Sequence, residues 1–396
     1  MNQHSQTDTS PTQPHDTHVR RANGWSWAQC LVAPTALLVA LLMATGLVAL
    51  LDSGQVAHAA PLGASQADTR YVSPNGSTTG NCLRVQANPP ATTSHSYPAC
   101  TLSRAIEVAQ PGDTIRMAVG EYTEAVVITK SLTILGGYPA TFATGTNEPV
   151  ADPVANITRI TVNTTDPVIT IVGPTTTTLT TTVVMDGVRL LHGTNQNRAI
   201  SITPPLSPTL SGLPVRLDLT RSYVQNNTAP TSGGGIGVDT RIIASIGITN
   251  TEFNGNKAPT GGAISLSPGS RLFGSHARFL NNQATAGNGG AIAAIGSIVS
   301  LRSITMTANS ATANGGALYA QDTALTLDGS VTNSSAGALG GGFYLTATVS
   351  APASFNNLAL SNNAAASGGG IYAHNIALNI AGTSPINANS ATGGYG

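Results

Sequence analysis

Charge is scarce in this chain. Of its 396 residues only 9% are charged, 17 basic against 17 acidic. With no basic stripe there is nothing to neutralise a phosphate backbone, which argues against nucleic acid as a partner. Aromatic residues are also few, at 4%. Three cysteines occur, and none forms a CxxC pair. His95 is the only histidine near Cys82 and Cys100, so zinc ligation finds no support. Long runs of helix formers are missing too: the C-terminal half is filled with Gly, Asn, Ser and Thr, which break helices or favour turns.

What is abundant is glycine, 43 residues, within a chain that is still 41% hydrophobic. The hydrophobic content and its regular alternation oppose disorder. From Tyr223 onward an Asn-containing turn followed by Gly-Gly and an apolar residue recurs seven times: NNTAPTSGGGI, NGNKAPTGGAI, NNQATAGNGGAI, NSATANGGAL, NSSAGALGGGF, NNAAASGGGI and NANSATGGY. The apolar marks are Ile236, Ile264, Ile292, Leu318, Phe343, Ile371 and Tyr395, spaced by 28, 28, 26, 25, 28 and 24 residues. A fixed period in this range marks a solenoid. Period-two alternation, as in Ile298-Val299-Ser300-Leu301, reads as strand. Short strands with no helix between them predict a parallel β-helix, one repeat per coil. Such a core is thin and uses small and β-branched residues, in keeping with the shortage of aromatics.

The Gly pairs suit corners that need a positive φ. Asn227, Asn256, Asn282, Asn309, Asn333, Asn363 and Asn389 suit a second corner. Stacked about 4.8 Å apart, their amides are expected to form a structural ladder rather than a ligand site.

Phe253-Asn254-Gly255-Asn256, Phe279-Leu280-Asn281-Asn282 and the Gly-Gly-Ala-Ile phrases resemble the FxxN and GGA[ILV] repeats of chlamydial polymorphic outer-membrane proteins, over roughly residues 220–396. Elsewhere Tyr, Met or Leu replaces the Phe. Related repeats build right-handed parallel β-helices of pectin-lyase-like shape in bacterial surface proteins. The run from Pro98 to Tyr138 resembles the entry segment of such β-helices. The resemblance implies a right-handed solenoid at the cell surface, with adhesion as its role.

The N-terminal 1–30 is polar, with Arg20-Arg21. Leu31–Leu51 is an uncharged run of 21 residues, followed by Ala57-His58-Ala59. The run is long enough to span a bilayer of about 30 Å as an anchor. Equally, Ala57 and Ala59 form a small-x-small cleavage signal. Either reading exports residues 60–396 to the cell surface or the extracellular space, with membrane contact only through the uncleaved apolar helix. Segment 31–59 is therefore signal or anchor, and 60–70 a linker. Residues 71–112 are expected as the solenoid's N-terminal cap, 113–225 as irregular coils and 226–396 as regular coils. The seventh copy stops at Gly393-Gly394-Tyr395-Gly396, one residue into its strand, so the array is expected to continue beyond Gly396. In an oxidising compartment Cys82 and Cys100, 18 residues apart, are expected to pair; the alternative is two free thiols. Within the cap, Leu102, Ala105, Ile106 and Ala109 share one face of a short helix that Pro111-Gly112 stops.

Chemistry is sparse. From Gly233 the only acids are Asp239, Glu252, Asp322 and Asp328, and they share no coil phase. Asp186-Gly187 and Asp328-Gly329 read as turns. His192, His276 and His374 are isolated. The sequence assigns no catalytic, cofactor-binding or metal-ligating residue and implies no cofactor. A non-enzymatic surface scaffold follows, with polysaccharide or host or neighbour cell-surface molecules as partners. The alternative is a polysaccharide lyase or glycoside hydrolase on the same fold.

Overall fold

The residue after each Gly pair falls into one column. In the computed structural model, Ile236 pairs with Ile264, Ile264 with Ile292, Ile292 with Leu318, Leu318 with Phe343 and Phe343 with Ile371, all in parallel ladders. The column runs back through Ile200 to Ile169. The model describes residues 67–83, 85–86, 95–96, 99–140, 142, 150–192, 197–207 and 209–395. A period that returns the chain to the same lateral position one strand spacing further on makes a solenoid. The fold is an all-β parallel β-solenoid with almost no helix. The seventh mark departs from the phase read in the sequence: Tyr395 pairs with Ser367, not with Ile371.

Two further apolar columns complete the core. One runs Leu132, Val183, Leu217, Ile246, Leu272, Val299, Leu325, Ala353. The other runs Ile160, Leu190, Val224, Phe253, Phe279, Met306, Val331, Leu360. All of these are buried. Alternation puts their neighbours outside, as in Thr158–Val162 and Val188–His192, where every second residue is buried. Each buried Ile, Leu or Phe contributes about 1.5–3 kcal/mol, so the stack is stabilised coil by coil. A fourth, narrow ladder of strands such as Gln283–Ala284 and Ser310–Ala311 forms one corner.

The two glycines of each pair are required for different reasons. The first holds a positive φ: 63° at Gly261, 71° at Gly289, 66° at Gly315. The second lies so close to the next coil that a Cβ would meet a backbone carbonyl oxygen, at 2.2 Å for Gly262, 2.0 Å for Gly290 and 2.2 Å for Gly316. Only the first requirement is legible in the sequence.

Thr69–Ser77 pairs in parallel with Thr114–Ala118, so the segment read as a cap already supplies a ladder strand. Cys82 and Cys100 form a disulfide with Cα atoms 5.4 Å apart. Gly76 lies against Cys100, whose carbonyl a Cβ would approach to 2.1 Å. The helix Leu102–Val108 buries Leu102, Ala105 and Ile106. Thr101 Oγ1 accepts from Arg104 N at 3.2 Å, and the Glu124 carboxylate accepts from Leu102 N at 3.0 Å and Ser103 N at 2.8 Å. Lys130 Nζ donates to the Glu107 and Ala109 carbonyls at 3.1 and 2.9 Å. Thus an acid from the solenoid holds the helix's N-terminus and a base its C-terminus, the sense the helix dipole favours.

The apolar run 31–51 and the Ala57 and Ala59 signal lie outside the described residues. Among the described residues no helix is long and apolar enough to cross a membrane.

Candidate functional site

Inside the coil, the asparagines hold the corner together. Asn227 Nδ2 donates to Asn256 Oδ1 at 2.8 Å, Asn256 to Asn282 at 3.0 Å, Asn282 to Asn309 at 3.0 Å and Asn363 to Asn389 at 2.9 Å. The Oδ1 atoms of Asn256, Asn282, Asn309 and Asn389 each accept a second bond from a backbone N–H of the preceding coil, as Asn282 does from Asn256 N at 3.1 Å, whereas Asn227 Oδ1, on the first rung, is buried without a partner. The Nδ2 groups also donate backward, Asn256 to the Val224 carbonyl at 2.8 Å and Asn282 to that of Phe253 at 3.0 Å. Asn227, Asn256, Asn282, Asn309 and Asn363 are fully buried. With donors and acceptors turned inward, they are bound to the fold and not offered to a ligand.

Asn333 needs correction. It is exposed, at φ 54°, and the buried ladder position belongs to Ser334, whose N donates to Asn363 Oδ1 at 2.9 Å. In each of these seven coils a left-handed residue precedes the ladder residue: Asn226, Gly255, Asn281, Ala308, Asn333, Asn362, Ala388. Where the text reads Asn-Asn, both roles fall to the same residue type. In the fifth copy the Asn takes the first role and Ser the second, so reading by residue type selects the wrong one.

Outside the coil, Tyr319, Tyr344 and Tyr372 stack on consecutive coils, with ring centroids 5.0 and 5.3 Å apart and planes within 4°. Each directly follows the apolar mark of its repeat, Leu318, Phe343 or Ile371, so the phase relation is visible in the sequence. Tyr319 Oη donates to Gln321 Oε1 at 2.8 Å. Burial, with Tyr344 and Asp322 nearby, raises the Tyr319 phenol above its usual value.

The acids are individually engaged. Asp186 accepts from Arg221 at 2.9 Å, with Gly187 at φ 71° completing a turn. Asp218 pairs with Arg216 at 2.7 Å, Asp239 with Arg241 at 3.3 Å and Glu252 with Arg278 at 2.9 Å. Asp322 accepts from Thr348 N at 2.6 Å and from its hydroxyl at 2.9 Å, which holds the carboxyl below the usual range. Asp328 accepts from Ser303 N. His192 is buried against the Asp166 carbonyl at 2.8 Å, whereas His276 and His374 are exposed on separate coils. Among the described residues no three of His, Cys, Asp and Glu come together as metal ligands would.

A concave site does exist at one corner. A cavity of about 450 Å³ is lined by Arg198, Ser201, Thr203, Thr231, Ser232 and Asp239. Arg198 donates to Thr231 Oγ1 and lies across Gly237, where a Cβ would also come within 2.8 Å of the Ser232 carbonyl oxygen. Burial lowers the Arg198 pKa. No period marks this site in the sequence, because it belongs to the irregular coils.

No curated protein matches the chain. Residues 303–321 match the Chlamydia polymorphic membrane protein repeat. That segment holds the inward Ile304 and Met306, the left-handed Ala308, the ladder Asn309, the Gly315-Gly316 pair and Leu318. The chain therefore carries this family's repeat, wound as coils of a parallel β-solenoid.

Proposed function

We propose that the protein is an exported, non-enzymatic scaffold of the cell envelope whose elongated outer face serves adhesion or surface interaction. The observation that carries this reading is the polymorphic membrane protein repeat on a stack of closely matched coils. That repeat points to an outer-membrane or surface protein. Repetition along the axis multiplies weak contacts, which suits an extended partner such as a polysaccharide or a molecule of a host or neighbouring cell. Asp186, Asp218, Asp239, Glu252, Asp322 and Asp328 support the reading too: each is spent on an arginine or a backbone N–H, not converged on one substrate position as hydrolysis or elimination requires. In the same reading the coil is right-handed and the helix Leu102–Val108 covers its first turn. The uncleaved apolar run or a processed signal delivers it to the surface.

The test combines a glycan array and whole-cell binding with reducing-sugar and unsaturated-product assays on the full exported chain. Binding without cleavage is the expected result. Polymer cleavage that disappears when Asp186 or Asp218 is changed to Asn would sink the scaffold reading in favour of an enzyme.

A further inference from the structure

Arg159 and Arg189 are direct register partners on adjacent coils, pointing outward from strands whose inward partners are Ile160 and Leu190. Neither guanidinium has a carboxylate within 4.0 Å among the described residues. The Nε atoms of both are buried without a hydrogen-bond partner, and so is Thr161 Oγ1, two residues further along the same outward row. Arg70, Arg104, Arg216, Arg221, Arg241 and Arg278, in contrast, each engage an acid.

The neighbours in the column do not compensate. One coil earlier the register partner of Arg159 is Glu121, which is exposed and makes no ion pair. One coil later Arg189 lies over the Tyr223 ring at 4.6 Å. Beyond it, Glu252 is held by Arg278 at 2.9 Å and by the amides of Gln225 and Asn254 at 3.3 and 3.1 Å. Two like charges one strand spacing apart, about 4.8 Å, repel each other. A bridging anion would offset that repulsion and take up the unpartnered Nε donors.

We propose that Arg159 and Arg189 form a clamp for a tetrahedral oxyanion, a sulfate or phosphate ester group on a ligand lying along the outer face. Guanidinium groups bind such oxyanions through paired N–H donors. Thr161 supplies a hydroxyl beside them, and Tyr223 fixes Arg189 through its ring face. The clamp does not depend on the adhesion reading, since small anions suffice to detect it.

The experiment is calorimetric titration of the full chain at low salt with inorganic sulfate and inorganic phosphate, then with methyl sulfate and methyl phosphate. One saturable site is expected. Arg159→Gln and Arg189→Gln should each weaken it by about tenfold or more, and Arg271→Gln, at an exposed position on another sheet face, should leave it unchanged. Glu121→Gln, which removes the carboxylate at the register position beside Arg159, should tighten it. The better-bound ester identifies the source of the oxyanion. If an arginine variant fails to fold by circular dichroism, Glu121→Gln decides alone: tighter binding supports the clamp, and unchanged or weaker binding overturns it. Absence of saturable binding, or binding that survives loss of both arginines, also overturns it.

Discussion

The side-chain amide of Asn256 donates to that of Asn282 at 3.0 Å, across 26 residues of sequence and a single coil of structure. This bond converts sequence period into spatial adjacency. The Asn282 Oδ1 also accepts Asn256 N, and its Nδ2 donates to the Phe253 carbonyl and to Asn309 Oδ1, so one fully buried side chain completes four hydrogen bonds. Asn282→Ala should therefore destabilise the solenoid by about 2–4 kcal/mol, chiefly by leaving buried backbone groups without partners. Thermal melts would show it; a change within error would mean that water enters the corner and replaces the amide.

Ser334 offers the reverse experiment. At that coil the amide ladder is interrupted: among the described residues Asn309 makes no amide–amide bond forward, although Ser334 N still donates to Asn363. Ser334→Asn should restore the run and stabilise by about 1 kcal/mol, while Asn333→Ala should lose little beyond the conformational preference of a left-handed position. A larger loss at Asn333 than gain at Ser334 would mean that Asn333, not Ser334, occupies the ladder.

Asp113 ties the first coil to the disulfide segment. Its carboxylate accepts from Arg70 Nε at 2.8 Å, Gln110 N at 2.9 Å and Asp68 N at 2.9 Å, with Arg70 and Asp113 only 5% and 2% exposed. Burial works against the charged form, but the backbone bonds from Gln110 and Asp68 and the Arg70 contact outweigh it and hold the carboxyl below its usual value. A group with a depressed folded pKa stabilises above its unfolded pKa, about 3.9 for Asp, and that stability is lost as pH falls through the folded value. Melting temperature should therefore drop below about pH 4, and Asp113→Asn should flatten that part of the profile. Arg70→Ala should cost about 3–5 kcal/mol at neutral pH, because it leaves a buried carboxylate uncompensated.

The Cys82–Cys100 bridge closes an 18-residue separation, which is worth about 3 kcal/mol in the chain-entropy model. Neither thiol should react with a maleimide in unreduced, folded protein, and reduction should lower the melting temperature. Labelling of both cysteines without reductant would show that the bridge does not form in the exported chain.

The sequence spoke clearly where one physical requirement recurs. The apolar marks Ile236 to Phe343 repeat because every coil needs an inward residue at the same height, and the structure keeps them in one column. It spoke less clearly where two requirements share a residue type, so residue type alone points to Asn333 where Ser334 holds the ladder. It was silent on Arg159, Arg189 and Arg198. These lie in coils of unequal length, where no period tells which outward residues become neighbours, and only the register sets Arg159 beside Arg189.

The Gly pairs carry the most severe prediction. Gly315 sits at φ 66°, but its neighbour Gly316 has no such need; a Cβ there would come within 2.2 Å of the Gly341 carbonyl oxygen and 2.5 Å of that of Ser335. Gly315→Ala adds left-handed strain of roughly 1–2 kcal/mol, and its Cβ would also approach the Leu318 carbonyl oxygen to 2.3 Å. Gly316→Ala must instead push two neighbouring coils apart, since backbone cannot swing aside as a flexible side chain does. Its cost should exceed about 3 kcal/mol, and Gly290→Ala, at 2.0 Å from the Gly316 carbonyl, should behave alike. Proteolysis of Gly316→Ala should open the solenoid near that coil, because each coil is held only by its neighbours. A Gly316→Ala protein as stable and protease-resistant as the parent would show that the coils are not packed backbone to backbone at this corner.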